Sequence, residues 1–259
     1  MSKKPDLRAL AGTVLEDDAD FDEVHILGGL ESNHSLNANL VDVKGAIKLH
    51  GSLWANRLIV YGGLRIDADV IVEMDIDIRG GSVVGGKIQA RDLDAMGGVQ
   101  AKEGIKVTNL TVKGGTKSNR HIEVEEKIDS TGGLTAFGNI TASEIKSIGG
   151  LIAEGNVKVH GLVDVRGKVE VGGDIECEEF IFKISSPSFV NGKIKANKIL
   201  IEKDENAKME SFLRVTEIVS PNRIEIDYVI AERVVCPKMK AGQNCRIGEP
   251  LDKDYEPEY

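Results

Sequence analysis

Apolar residues recur along this chain in pairs split by one polar residue, and three such pairs separate each turn-opening glycine from the next. From Gly45 the pairs are Ile47 and Leu49, Leu53 and Ala55, Leu58 and Val60. From Gly97 they are Val99 and Ala101, Ile105 and Val107, Leu110 and Val112; from Gly167, Val169 and Val171, Ile175 and Cys177, Phe180 and Phe182. Successive side chains of a strand point to opposite faces, so alternation at period two marks a half-buried strand. Three pairs per period predict three short strands. A period this short predicts a chain that winds over its own previous turn. The expected fold class is all-β: a parallel β-helix, or β-solenoid, of triangular cross-section.

The turns start at Gly28, Gly45, Gly62, Gly80, Gly97, Gly114, Gly132, Gly149, Gly167 and Ser186, ten in all. Glycine also recurs near the seventh position, at Gly51, Gly86, Gly138, Gly155, Gly173 and Gly192. A sharp bend between short strands needs positive φ or close backbone approach, and glycine supplies both. The third corner is polar instead, as at Asn56-Arg57 and Arg91-Asp92. The turns from Gly62 and Gly114 are each longer by one residue than the turn before, and take that extra residue at this corner as a bulge. Thr116 and Ser118 fall at inward positions, where their hydroxyls are expected to bond neighbouring backbone. The longest step, from Gly167 to Ser186, ends in Ser185-Ser186-Pro187, a local bulge, since proline cannot donate to a ladder.

This pattern sets the expected organisation. Residues 1–11 form a flexible tail, and 12–248 form one β-helix domain. Its regular turns run over 24–203 and its irregular capping turns over 204–248. Residues 249–259 form an acidic, disordered tail.

Composition narrows the functional classes. Aromatics make up only 4%, which suits a narrow core of stacked aliphatics. The net charge of −9 argues against nucleic acid as a partner, because that needs a basic stripe. No apolar run approaches the ~18 residues of a membrane span. No apolar region follows the charged start Met1-Ser2-Lys3-Lys4-Pro5. Cys177, Cys236 and Cys245 make neither a disulfide framework nor a zinc pattern, so a cytoplasmic location with free thiols is expected. The histidines (25, 34, 50, 121 and 160) fall at corners or exposed faces and do not stack, and no loop interrupts the winding to build a pocket. No catalytic residue, cofactor or metal ligand is expected, and no enzyme activity.

Two families of solenoid bear on function. Hexapeptide-repeat acyltransferases place a small residue two positions before each large aliphatic one. Here the order is reversed, as in Leu53-Trp54-Ala55 and Ile140-Thr141-Ala142. By contrast, Gly138-Asn139-Ile140-Thr141-Ala142-Ser143-Glu144-Ile145 and Gly192-Lys193-Ile194-Lys195-Ala196-Asn197-Lys198-Ile199 resemble the G-x-I-x-A-x-x-I unit of the bactofilins. That resemblance implies a right-handed β-helix and a cytoskeletal protein that polymerises end to end without nucleotide and serves as a scaffold. Many members bind membrane through a short N-terminal tail. Here Lys3 and Lys4 have no bulky apolar residue beside them, which leaves membrane attachment doubtful. An acyltransferase, or a solenoid that binds a protein partner without polymerising, stands as the alternative.

For self-assembly the expected end contacts are Phe212, Leu213, Val215, Ile224 and Ile226 on the C-terminal side and Val24, Ile26 and Leu30 on the N-terminal side. The acidic run from Glu16 to Glu23 suggests that two N-terminal ends repel and two C-terminal ends meet as an isologous pair. Trp54, Ile59 and Tyr61 point outward and are a candidate lateral contact.

Overall fold

The structure is a computed structural model that describes residues 4–207 and 210–248. No helix occurs among the described residues; every paired strand runs parallel to its neighbour, in stacked coils of a β-solenoid with about 14 turns. The chain divides into two compact units, residues 1–138 and 139–259.

In the first unit, inward residues stand on inward residues one turn away. Leu30 pairs with Ile47, and Ile47 with Leu64; Leu36 pairs with Leu53, and Leu53 with Val70. Strands about 4.8 Å apart put such side chains in van der Waals contact along a column. The expected inward set of the turn from Gly45 is buried throughout, between 0% and 5% exposed.

The corners explain the composition. A Cβ on Gly45 would lie 2.6 Å from the carbonyl oxygen of Gly28, and one on Gly97 would lie 2.5 Å from that of Gly80. Neither glycine has positive φ. Close approach of backbone to backbone, not a left-handed conformation, therefore excludes a side chain there. The third corner does not interrupt the ladder as expected. Leu36–Val43 and Leu53–Val60 each run through it as one strand. Polar residues bend here in extended backbone and form their own outer ladder, with Asn56 Nδ2 donating to Asn39 Oδ1 at 3.1 Å. In the longer turns the extra residue sits at this corner. Glu73 and Met74 separate Val70–Val72 from Asp75–Ile78, and the register shifts between Val107 and Asn109.

Winding begins before its expected start. Leu7–Ala9, expected in a tail, forms a strand in register with Val24–Ile26, and Thr13–Leu15 pairs with Leu30–Ser32. The period reaches back through Ala11 and Gly12, where a full glycine doublet is missing.

The second unit repeats the scheme with longer strands, up to Ser188–Lys203. Phe180 and Phe182 fill its core with ring centroids 6.2 Å apart. The register shift near the bulge at Ser185-Ser186-Pro187 falls between Val190 and Lys193. The winding pauses at Asp204, whose carboxylate accepts from Arg166 Nη2 at 3.3 Å and from the Asn206 N–H at 3.0 Å. The Arg166 guanidinium, with that backbone bond behind it, holds the Asp204 carboxyl below the usual carboxylate range. Beyond the pause, Leu213–Val219, Arg223–Ile226, Val229–Val235, Met239–Ala241 and Arg246–Ile247 continue as full coils. The acidic tail expected over 249–259 lies outside the described residues.

Candidate functional site: the ends of the winding

Most of the expected end contacts are interior. Val24 lies between Leu7 and Val41, Ile26 between Ala9 and Val43, and Leu30 between Thr13 and Ile47. On the other side, Leu213 lies between Ser188 and Val229, and Val215 between Val190 and Ala231. Ile224 lies between Ile199 and Met239, and Ile226 between Ile201 and Ala241. All seven are 0–2% exposed. Further coils continue the ladder past each of them, so none presents an end. Phe212 is half-buried, with its ring 5.6 Å from that of Tyr228.

The ends lie one coil further out. In the first unit Leu7–Ala9, Thr13–Leu15 and the stretch Ala19–Phe21 pair on one side only among the described residues. Their inward residues Leu7, Ala9, Thr13, Leu15, Ala19 and Phe21 are half-buried where the next coil's are buried. In the second unit Arg233–Val235, Met239–Ala241 and Arg246–Ile247 likewise pair on one side only among the described residues. Their inward Met239 and Ile247 are 49% and 40% exposed. Among the described residues each end therefore offers backbone donors and acceptors without a ladder partner around a cross-section of apolar side chains, the features that template addition of another strand. Subtracting one period from Val24, Leu30 and Ala38 points to Leu7, Thr13 and Phe21, a signal already present in the sequence.

The lateral candidates stand in separate columns. Trp54 stands in a column between Asn37 and Ile71, and Ile59 is half-buried between Asp42 and Asp77. Tyr61 sits at the corner, with Lys44 Nζ 3.8 Å from its ring centroid.

Reactive chemistry is sparse. No group of three or more His, Cys, Asp or Glu that could hold a metal ion occurs among the described residues. Burial, helped by Glu176, Glu178 and Glu179, pushes the Cys177 thiol up to about 12, although the residue is half-buried rather than fully enclosed. Ser118 Oγ donates to the His121 carbonyl at 3.1 Å as expected, but Thr116 Oγ1 is buried without a partner. No helix among the described residues is long and apolar enough to cross a membrane.

The fold and its open ends define a parallel β-solenoid of the kind suited to scaffolds and polymer formers. No family model, curated protein or solved structure matches the chain.

Proposed function

We propose that this chain is a structural protein that associates with copies of itself through the ends of its winding, in the manner of the bactofilins its repeat resembles. The observation that carries this reading is the pair of terminal coils, each with a ladder that is open among the described residues and with half-exposed inward residues such as Leu15 and Met239. Adding an identical coil would bury those side chains and pair those backbone groups together. In this reading the chain acts in the cytoplasm as a scaffold, needs neither nucleotide nor cofactor and catalyses no reaction. The inverted order of large and small inward residues speaks against the acyltransferase alternative.

Electron microscopy of the purified full chain in nucleotide-free buffer tests it. Filaments are expected, and particles of single-chain size at high concentration contradict it. A second reading rests on a groove of about 740 Å³ in the second unit, lined by residues that include Phe212, Arg214, Ile230 and Arg246. A non-polymerising scaffold would use that groove to hold a protein partner.

A further inference from the structure

The groove of about 740 Å³ in the second unit joins cationic to apolar walls. Arg214, Ile230 and Arg246 follow one another in a single outer column, since Arg214 pairs with Ile230 and Ile230 with Arg246. Pro187 and Phe212 line the groove with them, and Glu210 is the acid on its wall. Phe212 and Ile230 are half-buried, and Arg246 is exposed. A volume of this size takes a small ligand or a few side chains. Arginine grips carboxylates with its planar fork and stacks on aromatic faces. Two guanidiniums beside aromatic and aliphatic carbon therefore suit an occupant that is both acidic and aromatic.

The chain itself supplies such an occupant. Residues 249–259 begin three positions after Arg246 and hold five acidic residues (Glu249, Asp252, Asp254, Glu256 and Glu258) against Lys253. They also hold two of the chain's four tyrosines, Tyr255 and Tyr259, with Leu251. Segments that stay solvated are poor in aromatics, so this composition points to a contact. In extended backbone Leu251, Tyr255 and Tyr259 share one face, and Asp252, Asp254, Glu256 and Glu258 share the other. We propose that residues 249–259 seat in this groove of their own chain, the tyrosines against Phe212 and Ile230 and the carboxylates beside Arg214 and Arg246.

Reach and charge both favour it. Tyr255 lies nine residues beyond Arg246, and an extended chain spans about 3.3–3.6 Å per residue, or about 30 Å. Arg214 is two ladder steps from Arg246, about 10 Å. So short a tether gives an effective concentration in the millimolar range, and a weak contact suffices to hold the groove. The coil just before the segment, residues 232–248, has four basic residues (Arg233, Lys238, Lys240 and Arg246) against Glu232, so the local field attracts acids. Pro250 and Pro257 cannot donate to a ladder. Side chains, not added strand pairing, carry the contact. The inference goes beyond the self-association reading and does not depend on it. A protein partner would reach the groove only by displacing this segment.

The test is quenching of an indole placed in the segment. Tyr255→Trp in a Trp54→Phe background makes the reporter the sole indole of the full chain. Acrylamide should quench it several-fold less than it does after Arg214→Glu or Arg246→Glu is added. Two substitutions are used so that a fold defect in one, read by circular dichroism, leaves the other to decide. The shielding should also fade at about 1 M salt, where the Debye length falls to about 3 Å. Equal, strong quenching with and without the substitutions overturns the proposal. Shielding that neither substitution relieves places the segment elsewhere and overturns it too. Shielding lost on dilution places the segment on a second copy, which overturns seating in its own chain. Electron microscopy of the same proteins reads self-association separately. Filaments with an unshielded reporter overturn this inference and leave self-association standing, and single chains with a shielded reporter do the reverse.

Discussion

The turn from Gly45 and the coil of residues 4–21 follow the same rule with opposite results. In the first, Leu49 is 0% exposed; in the second, Leu15, two turns away in the same column, is half-buried. Both point inward. What differs is that Leu49 has Ser32 on one side and Ile66 on the other, whereas Leu15 has Ser32 alone among the described residues. In a stacked fold, direction belongs to the residue but burial belongs to its neighbours. An interior coil thus has its inward residues covered on both sides, and a terminal coil has them covered on one side only among the described residues.

Substitutions that separate these roles should differ most in the interior. Val107, 2% exposed, sits between Ala90 and Val124. Val107→Asp buries an unpaired charge and should cost several kcal/mol, on the order of 4. The adjacent outward Lys106→Asp should stay within about 0.5 kcal/mol. Urea denaturation of both variants checks this, and equal sensitivity would break the inward and outward assignment.

The glycine corner gives the next largest contrast. Gly97→Ala drives a Cβ to 2.5 Å from a carbonyl oxygen, whereas Gly98→Ala meets nothing closer than 3.5 Å. The first should cost about 1–3 kcal/mol through forced backbone shifts. The second should be neutral, or stabilise by about 0.4–1 kcal/mol through the unfolded chain. Thermal melts of the two proteins should move in different directions or by clearly different amounts.

The pause at residue 204 should respond to acid. The Asp204 carboxyl is held below its ordinary value by Arg166, so its contribution is fully present above the unfolded value of about 3.9. It is lost as pH falls through the lower, folded value. Asp204→Asn should remove this part of the acid sensitivity, read as the rate of proteolysis within residues 204–212 between neutral and acid pH. The smallest effect concerns thiols. With its thiol pushed up to about 12, Cys177 should react with a thiol reagent at pH 8 more slowly than Cys236.

Much of this was legible in the sequence. The period fixed which residues face inward through both units, because each turn repeats the alternation and the corners are marked by glycine or polar pairs. The first coil was hidden because Ala11 stands where later turns have glycine, and because its acidic outward residues look like a solvated run. That error moved the expected N-terminal contact one coil inward, to Val24, Ile26 and Leu30. On the other side, the pause at Asp204 looked like the end of regular winding, so Leu213, Val215, Ile224 and Ile226 looked exposed. Periodicity also could not show that the third corner carries the ladder through, since that depends on hydrogen bonding between turns. Nor could it show that Thr116 would find no acceptor, since that depends on which carbonyls its neighbours have already engaged.

The central claim is that the open ends, and not the faces, join one copy to the next. Sedimentation velocity of wild type and Leu15→Arg at equal concentration, with circular dichroism on both, tests it most directly. Leu15 is half-buried at the edge, where an arginine can reach solvent, so the strand signal should not change. The wild type should sediment as large assemblies and Leu15→Arg as single chains. Assemblies of unchanged size in Leu15→Arg, or a wild type that sediments as single chains, would contradict the claim.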